Sequence, residues 1–173
     1  MKTASSTRCG AVTVARSVPE SFSDLGLPVV AVHALRRQGV TEPRDIQRQS
    51  IPPILDGRDV VGRAPTGSGK TLAFGVPMLA RLVGAAKPGK PKAVVLVPTR
   101  ELADQIVKEL DESALALGRR VTALTGGVPL GRQTQILGRG VDLVVATPGR
   151  LLDHVRRKSL SLADVTTTAV DEA

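Results

Sequence analysis

From residue 58 onward the chain alternates two kinds of apolar pattern. Short valine-rich runs occupy 59–62, 93–97, 121–125, 141–146 and 167–170. Between them, 70–83, 100–117, 130–137 and 150–157 carry apolar residues three and four apart, as in Leu102, Ile106, Leu110 and Leu117. The short runs predict strands and the longer ones helices with one buried stripe. Strands alternating with helices at this spacing predict βαβ units: an α/β fold, a parallel sheet sandwiched by helices.

Ahead of this block, residues 22–57 read as a helical lead-in. Ser23-Asp24 is the predicted cap of a first helix, whose apolar face is Val29, Val30, Val32 and Leu35 and whose stop is Gly39. A second helix is predicted from Asp45 to Ser50, ended by Pro52-Pro53. Residues 1–21 read as an unstructured leader and 58–173 as the main domain. Residues 87–92, rich in Lys, Pro and Gly, read as a solvated loop.

Composition narrows this picture. Phe22 and Phe74 are the only aromatics, so the core must be Val, Leu, Ala and Ile, which suits a parallel sheet buried on both faces. The 24 Lys and Arg against 16 Asp and Glu give a net charge of +8, which favours a polyanionic partner. One cysteine, Cys9, excludes an internal disulfide. His33 and His154 stand apart from any metal-ligand pattern and read as surface or packing residues. No apolar run reaches the roughly 20 residues that span a bilayer, and the leader lacks a secretory core, so a cytoplasmic location is expected.

The chemistry concentrates at Ala64-Pro65-Thr66-Gly67-Ser68-Gly69-Lys70-Thr71, between a strand-like run and a helix-like one. Glycines allow successive N–H groups to face one anion, and the following helix adds its positive end. Lys70 is placed to reach the β and γ phosphates of a nucleoside triphosphate, and Thr71 to give its hydroxyl to Mg²⁺. The general pattern G-x-x-x-x-G-K-[ST] has Ala64 at its first position, and a surface turn is the competing reading. About 100 residues later, Asp171-Glu172 ends a strand-like run, where ligands bind in such sheets. Asp171 is the candidate metal holder through water, and Glu172 the candidate group that polarises the attacking water.

Five ordered segments carry a family resemblance. Residues 64–71, Pro98-Thr99-Arg100-Glu101-Leu102-Ala103, Gly126-Gly127, Thr147-Pro148-Gly149-Arg150 and Asp171-Glu172-Ala173 resemble the successive motifs of DEAD-box ATP-dependent RNA helicases. Ala64, the exception to the general pattern, is what that family has there. The resemblance covers 22–173 and implies a RecA-like, P-loop NTPase domain that binds ATP and Mg²⁺ and grips the RNA sugar-phosphate backbone. It assigns the RNA contacts to Pro98, Thr99, Arg100, Gly126, Gly127, Thr147, Pro148, Gly149 and Arg150. Strand-end and helix-start positions suit that task, because exposed N–H groups, hydroxyls and guanidinium groups bind phosphates without reading bases. Thr147-Pro148 also reads as a helix cap with proline at its first position.

The segment from Gly39 to Gln47 resembles the family's adenine-recognising motif, in which the glutamine bonds the base and an upstream aromatic stacks on it. Gln47 and Phe22 stand in those places, but Arg44-Asp45 stands where the family has a hydroxyl residue and an apolar or proline residue. A hydroxyl contact to the phosphate loop is thereby lost. The family's motif reads Asp-Glu-Ala-Asp, whereas the chain ends at Ala173. The resemblance further implies a strand between the phosphate-loop run and the Asp171 run, bearing Ser-Ala-Thr, and a second RecA-like domain whose arginines complete the site. The 173 residues are therefore expected to be an incomplete piece with negligible ATP hydrolysis alone and open sheet edges. A DNA-directed helicase of the same superfamily and a non-catalytic nucleic-acid-binding fragment are the alternatives.

Overall fold

A computed structural model describes residues 21–172, so residues 1–20 of the leader, Cys9 among them, and Ala173 lie outside the described residues. The elements in order are α1 (Val29–Arg37), α2 (Asp45–Leu55), α3 (Lys70–Arg81), β1 (Ala93–Leu96), α4 (Arg100–Ala116), β2 (Val121–Leu124), α5 (Leu130–Leu137), β3 (Leu143–Ala146), α6 (Pro148–Arg156) and β4 (Thr167–Val170). All strand pairs are parallel, in the order β2-β3-β1-β4.

The period of two along the strands divides the core into two layers. Ala93, Val95, Leu143 and Val145 face the cluster that also holds Leu35, Leu79, Ile106 and Leu110 from α1, α3 and α4. Val94, Val144 and Ala146 face the opposite cluster, with Leu137 of α5 and Leu151 of α6. Helices therefore cover both faces, as the alternating pattern predicts. Central β3 is buried along its whole length, whereas edge strand β4 alternates partly buried and exposed residues, with Val170 62% exposed.

Four local expectations are corrected. Residues 59–62 form no strand: they join no ladder, and Val61 is fully exposed. A short apolar run becomes a strand only where a neighbour accepts its backbone bonds, and β4 makes its only ladder with β1. Second, α2 continues through Pro52 and Pro53 to Leu55. Each proline removes a helix bond, at about 3 kcal/mol in an isolated helix, but fully buried Ile51 and partly buried Ile54 dock the helix on the core.

Third, Ser23-Asp24 caps no helix. The Asp24 carboxylate accepts from the Ser21 N–H and hydroxyl at 3.0 and 2.8 Å, closing a separate turn, and α1 starts after Pro28. Val29 and Val30 are 67% and 50% exposed, and the buried face is Ala31, Val32, Ala34 and Leu35. Fourth, α6 begins at Pro148, two residues before the periodic run at 150, with Thr147 as its N-cap and proline at its first position as the cap reading has it.

Candidate functional site

Register fixes where the chemistry emerges. Leu124, Ala146, Leu96 and Val170 form one row across the sheet, so the loops after β2, β3, β1 and β4 leave along a single edge. The bonds Thr147 N to Leu124 O, Val97 N to Ala146 O and Asp171 N to Leu96 O, at 3.0–3.1 Å, carry the row one residue further. Asp171 and Glu172 therefore emerge beside the loop that holds Pro98, Thr99 and Arg100.

At the β4 end lies a cleft of about 260 Å³, walled by Thr66, Gly67, Gly69, Lys70 and Thr71 on one side and Asp171 and Glu172 on the other. Its loop is closed by the Ser68 N–H bonding to Pro65 O at 3.3 Å, and α3 starts at Lys70. Gly69, the N-cap of α3, has φ +86, and a Cβ there would also collide with the Gln47 amide nitrogen. Glycine is required on both counts.

Gln47 is 1% exposed and bridges α2 to this loop. Its Oε1 accepts from the Arg44 N–H at 2.8 Å and its Nε2 donates to Gly69 O at 3.1 Å. One amide hydrogen remains for a base edge. The unusual Arg44 places its guanidinium on Gly67 O, so a charged donor ties position 44 to the loop where a hydroxyl was expected. Phe22 lies elsewhere: it is 1% exposed within the main core and does not line the cleft.

The loop suits a triphosphate. The Ser68 hydroxyl is buried without a hydrogen-bond partner, and Lys70 forms no ion pair among the described residues. No group of three or more His, Cys, Asp or Glu that could hold a metal occurs among the described residues. Mg²⁺ bound with substrate phosphates needs only one or two carboxylates, and Asp171 lines the cleft together with Thr71.

Farther along the edge, Pro98, Thr99, Arg100, Gly126, Gly127, Pro148 and Gly149 are exposed. The Thr99 hydroxyl caps α4 by accepting from the Leu102 N–H at 3.2 Å. Gly127 has φ +79, and a Cβ there would strike the Arg100 guanidinium, so two of the predicted RNA-contacting segments meet. Arg150 differs from the rest. Its side chain is 13% exposed and donates to Val128 O at 2.6 Å and to Gln133 Oε1 at 2.7 Å.

Sequence reasoning passed over Gln133 and read His154 only as a packing or surface residue. Both are buried and bonded, His154 Nε2 to Gln133 Oε1 at 3.0 Å and Nδ1 to the Ser159 hydroxyl at 2.8 Å. Burial, and then the Arg150 charge, hold the His154 pKa below its ordinary value. The available signal was spacing: Gln133 is four residues from Leu137 and His154 three from Leu151, so each shares a helix face with a buried leucine.

Comparison with known proteins agrees with this geometry. A family model described as DEAD/DEAH box helicase matches residues 44–173. The chain is 43% identical over 157 residues to "DEAD-box ATP-dependent RNA helicase 9, mitochondrial" of Arabidopsis thaliana, covering 88% of this chain and 25% of that protein. It is 46% identical over 159 residues to "DEAD-box ATP-dependent RNA helicase 3B, chloroplastic" of Zea mays, covering 88% and 21%. The chain thus spans a quarter or less of the length of these relatives. Among solved structures, the RNA helicase Prp28 of Chaetomium thermophilum bound to ADP superposes with a TM-score of 0.81 at 40% identity, over 88% of this chain and 38% of that one. The parallel sheet flanked by helices is that of a RecA-like helicase domain, and the chain belongs to the DEAD/DEAH box helicase family.

Proposed function

We propose that this chain is the N-terminal ATP- and RNA-binding part of an RNA helicase that couples ATP hydrolysis to duplex opening. The observation that carries the reading is the single sheet edge, which brings Lys70, Thr71, Asp171 and Glu172 into one cleft beside the exposed residues 98–100, 126–127 and 148–149. The relatives' names, which specify ATP-dependent RNA helicases, support it.

In this reading the residues 64–71 cradle the triphosphate, Lys70 neutralises phosphate charge and Gln47 addresses the adenine edge. Thr71 and Asp171 hold Mg²⁺, which when bound offsets charge on the phosphate oxygens. Glu172 orients the attacking water and accepts its proton. Phe22 is retained as the candidate base-stacking aromatic, which requires its ring to leave the core. Pro98, Thr99, Arg100, Gly126, Gly127, Thr147, Pro148, Gly149 and Arg150 form the face for the RNA backbone. Because such contacts are blind to base identity, the face grips RNA without sequence preference. A second RecA-like domain supplies the arginines that complete the ATP site. The proposed compartment is the cytoplasm, which imaging of the tagged full-length protein would check.

The test is RNA-stimulated ATP turnover by the full-length protein and its Lys70→Ala variant. Loss of turnover with a retained melting transition is the expected result, and a Lys70→Ala protein as active as its parent would refute the assignment. Stimulation by DNA equal to that by RNA would redirect the substrate.

A further inference from the structure

Gly126-Gly127 is a two-glycine loop tip with exposed backbone, so something must fix where its N–H groups point. The residues on either side are both tied down. Thr125, on the N-terminal side, gives its carbonyl to Gln133 Nε2 at 3.1 Å, and Val128, on the C-terminal side, gives its carbonyl to Arg150 Nη1 at 2.6 Å. The two ties meet, because Arg150 Nη1 also donates to Gln133 Oε1 at 2.7 Å.

His154 Nε2 is the second donor to that oxygen, at 3.0 Å. The Thr125 carbonyl at one end and the guanidinium at the other fix which end of the Gln133 amide is which. Oε1 can only accept, so Nε2 of His154 carries the hydrogen, while Nδ1 lies 2.8 Å from the Ser159 hydroxyl, which also reaches the His154 carbonyl at 3.1 Å. Gln133 is 2% exposed and His154 fully buried, so water cannot replace a lost partner.

We propose that Gln133, locked by His154, is a positioning residue that clamps the Gly126-Gly127 loop to the start of α6 and holds the two at the spacing an RNA backbone needs. This rests on the RNA reading above and refines the part of Arg150, whose Nη1 holds the loop that forms part of that face. Nucleotide binding, at the other end of the sheet edge, is outside the clamp.

The test is binding by the full-length protein of a labelled single-stranded oligouridylate, followed by anisotropy, and of a fluorescent ADP analogue. Gln133→Met keeps the side-chain length and removes both ends of the clamp. RNA affinity is expected to fall about tenfold while ADP affinity stays within about twofold. Unchanged RNA binding, or equal losses for RNA and ADP, would overturn the clamp. Ser159→Ala leaves Gln133 in place, removing the hydroxyl that meets the His154 ring at 2.8 Å and the His154 carbonyl at 3.1 Å, and is expected to weaken RNA about threefold with cooperative melting retained. If Gln133→Met does not fold, this variant decides, and unaltered RNA affinity counts against the clamp. A parent chain that binds no RNA removes the RNA reading and the clamp together. A parent that binds RNA no better than Gln133→Met removes the clamp alone.

Discussion

The side-chain amide of Gln47 donates to the carbonyl of Gly69 at 3.1 Å, joining the lead-in helices to the phosphate loop one residue before Lys70. Replacing Gln47 with alanine leaves the Arg44 N–H without its acceptor and the Gly69 carbonyl with the Ala73 N–H alone, at 3.1 Å. An ADP affinity about tenfold weaker is expected in fluorescent-nucleotide titration. Gln47→Glu should be worse, because a carboxylate would face the Gly69 carbonyl with no hydrogen to offer.

Helices α3 and α4 touch at Gly75. A Cβ there would lie 2.6 Å from both methyl groups of Leu110, which is itself fully buried. Gly75→Ala gains about 1 kcal/mol of helix propensity but forces an overpacking cost of about 1–3 kcal/mol. Since Leu110 is fully buried, the clash should win by up to about 2 kcal/mol, lowering Tm by up to about 8 °C in a thermal melt.

Asp142 is a buried hub ahead of β3. Its carboxylate accepts from the Ala86 and Arg120 N–H groups at 3.1 and 2.9 Å and faces Arg119 at 3.5 Å, with side chains 7% and 15% exposed. Asp142→Ala abandons two N–H groups and removes the counter-charge of a largely buried guanidinium, which keeps only the Gly84 and Leu82 carbonyls. A loss of about 3 kcal/mol in urea unfolding is expected, against less than about 1 kcal/mol for exposed Asp56→Ala.

His154 makes stability depend on pH in a known direction. Its folded pKa lies below the ordinary 6.5, through burial first, then Arg150 and more weakly Arg157, with Asp153 opposing. Between the two values the unfolded chain binds more protons. The contribution is therefore complete above about pH 6.5 and is lost as pH falls through the folded value. Melting between pH 7.5 and 5 should show Tm falling on the acid side, with a flatter profile in His154→Gln; identical profiles would refute the linkage.

Much of the architecture was legible because a central parallel strand such as β3, buried on both faces, needs apolar residues at every position, and the helices between strands carry one apolar stripe. The run 167–170 and the helix 130–137 are found at their expected limits. Val60 and Val61 misled for the same reason, since an apolar pair announces strand preference but says nothing about who will pair with it. Pro52-Pro53 reads locally as a stop, yet Ile51 and Ile54 outweigh it through contacts distant in sequence. The cleft residues were visible through spacing, whereas the Arg44 tie to Gly67 was not. A cation where a hydroxyl was expected looks like a loss until its reach is seen.

The row Leu124, Ala146, Leu96 and Val170 is in effect a ruler with strands as its graduations. Three inter-strand steps separate the Gly126 side from the Asp171 side, about 14 Å. Insertions within any one loop leave that interval untouched. Deleting one residue inside β3 would instead slide the Thr147 loop by about 3.3 Å and turn its neighbours over to the wrong layer of the core. Each loop can thus diversify alone, while the distance between the two ends of the edge is inherited as a unit.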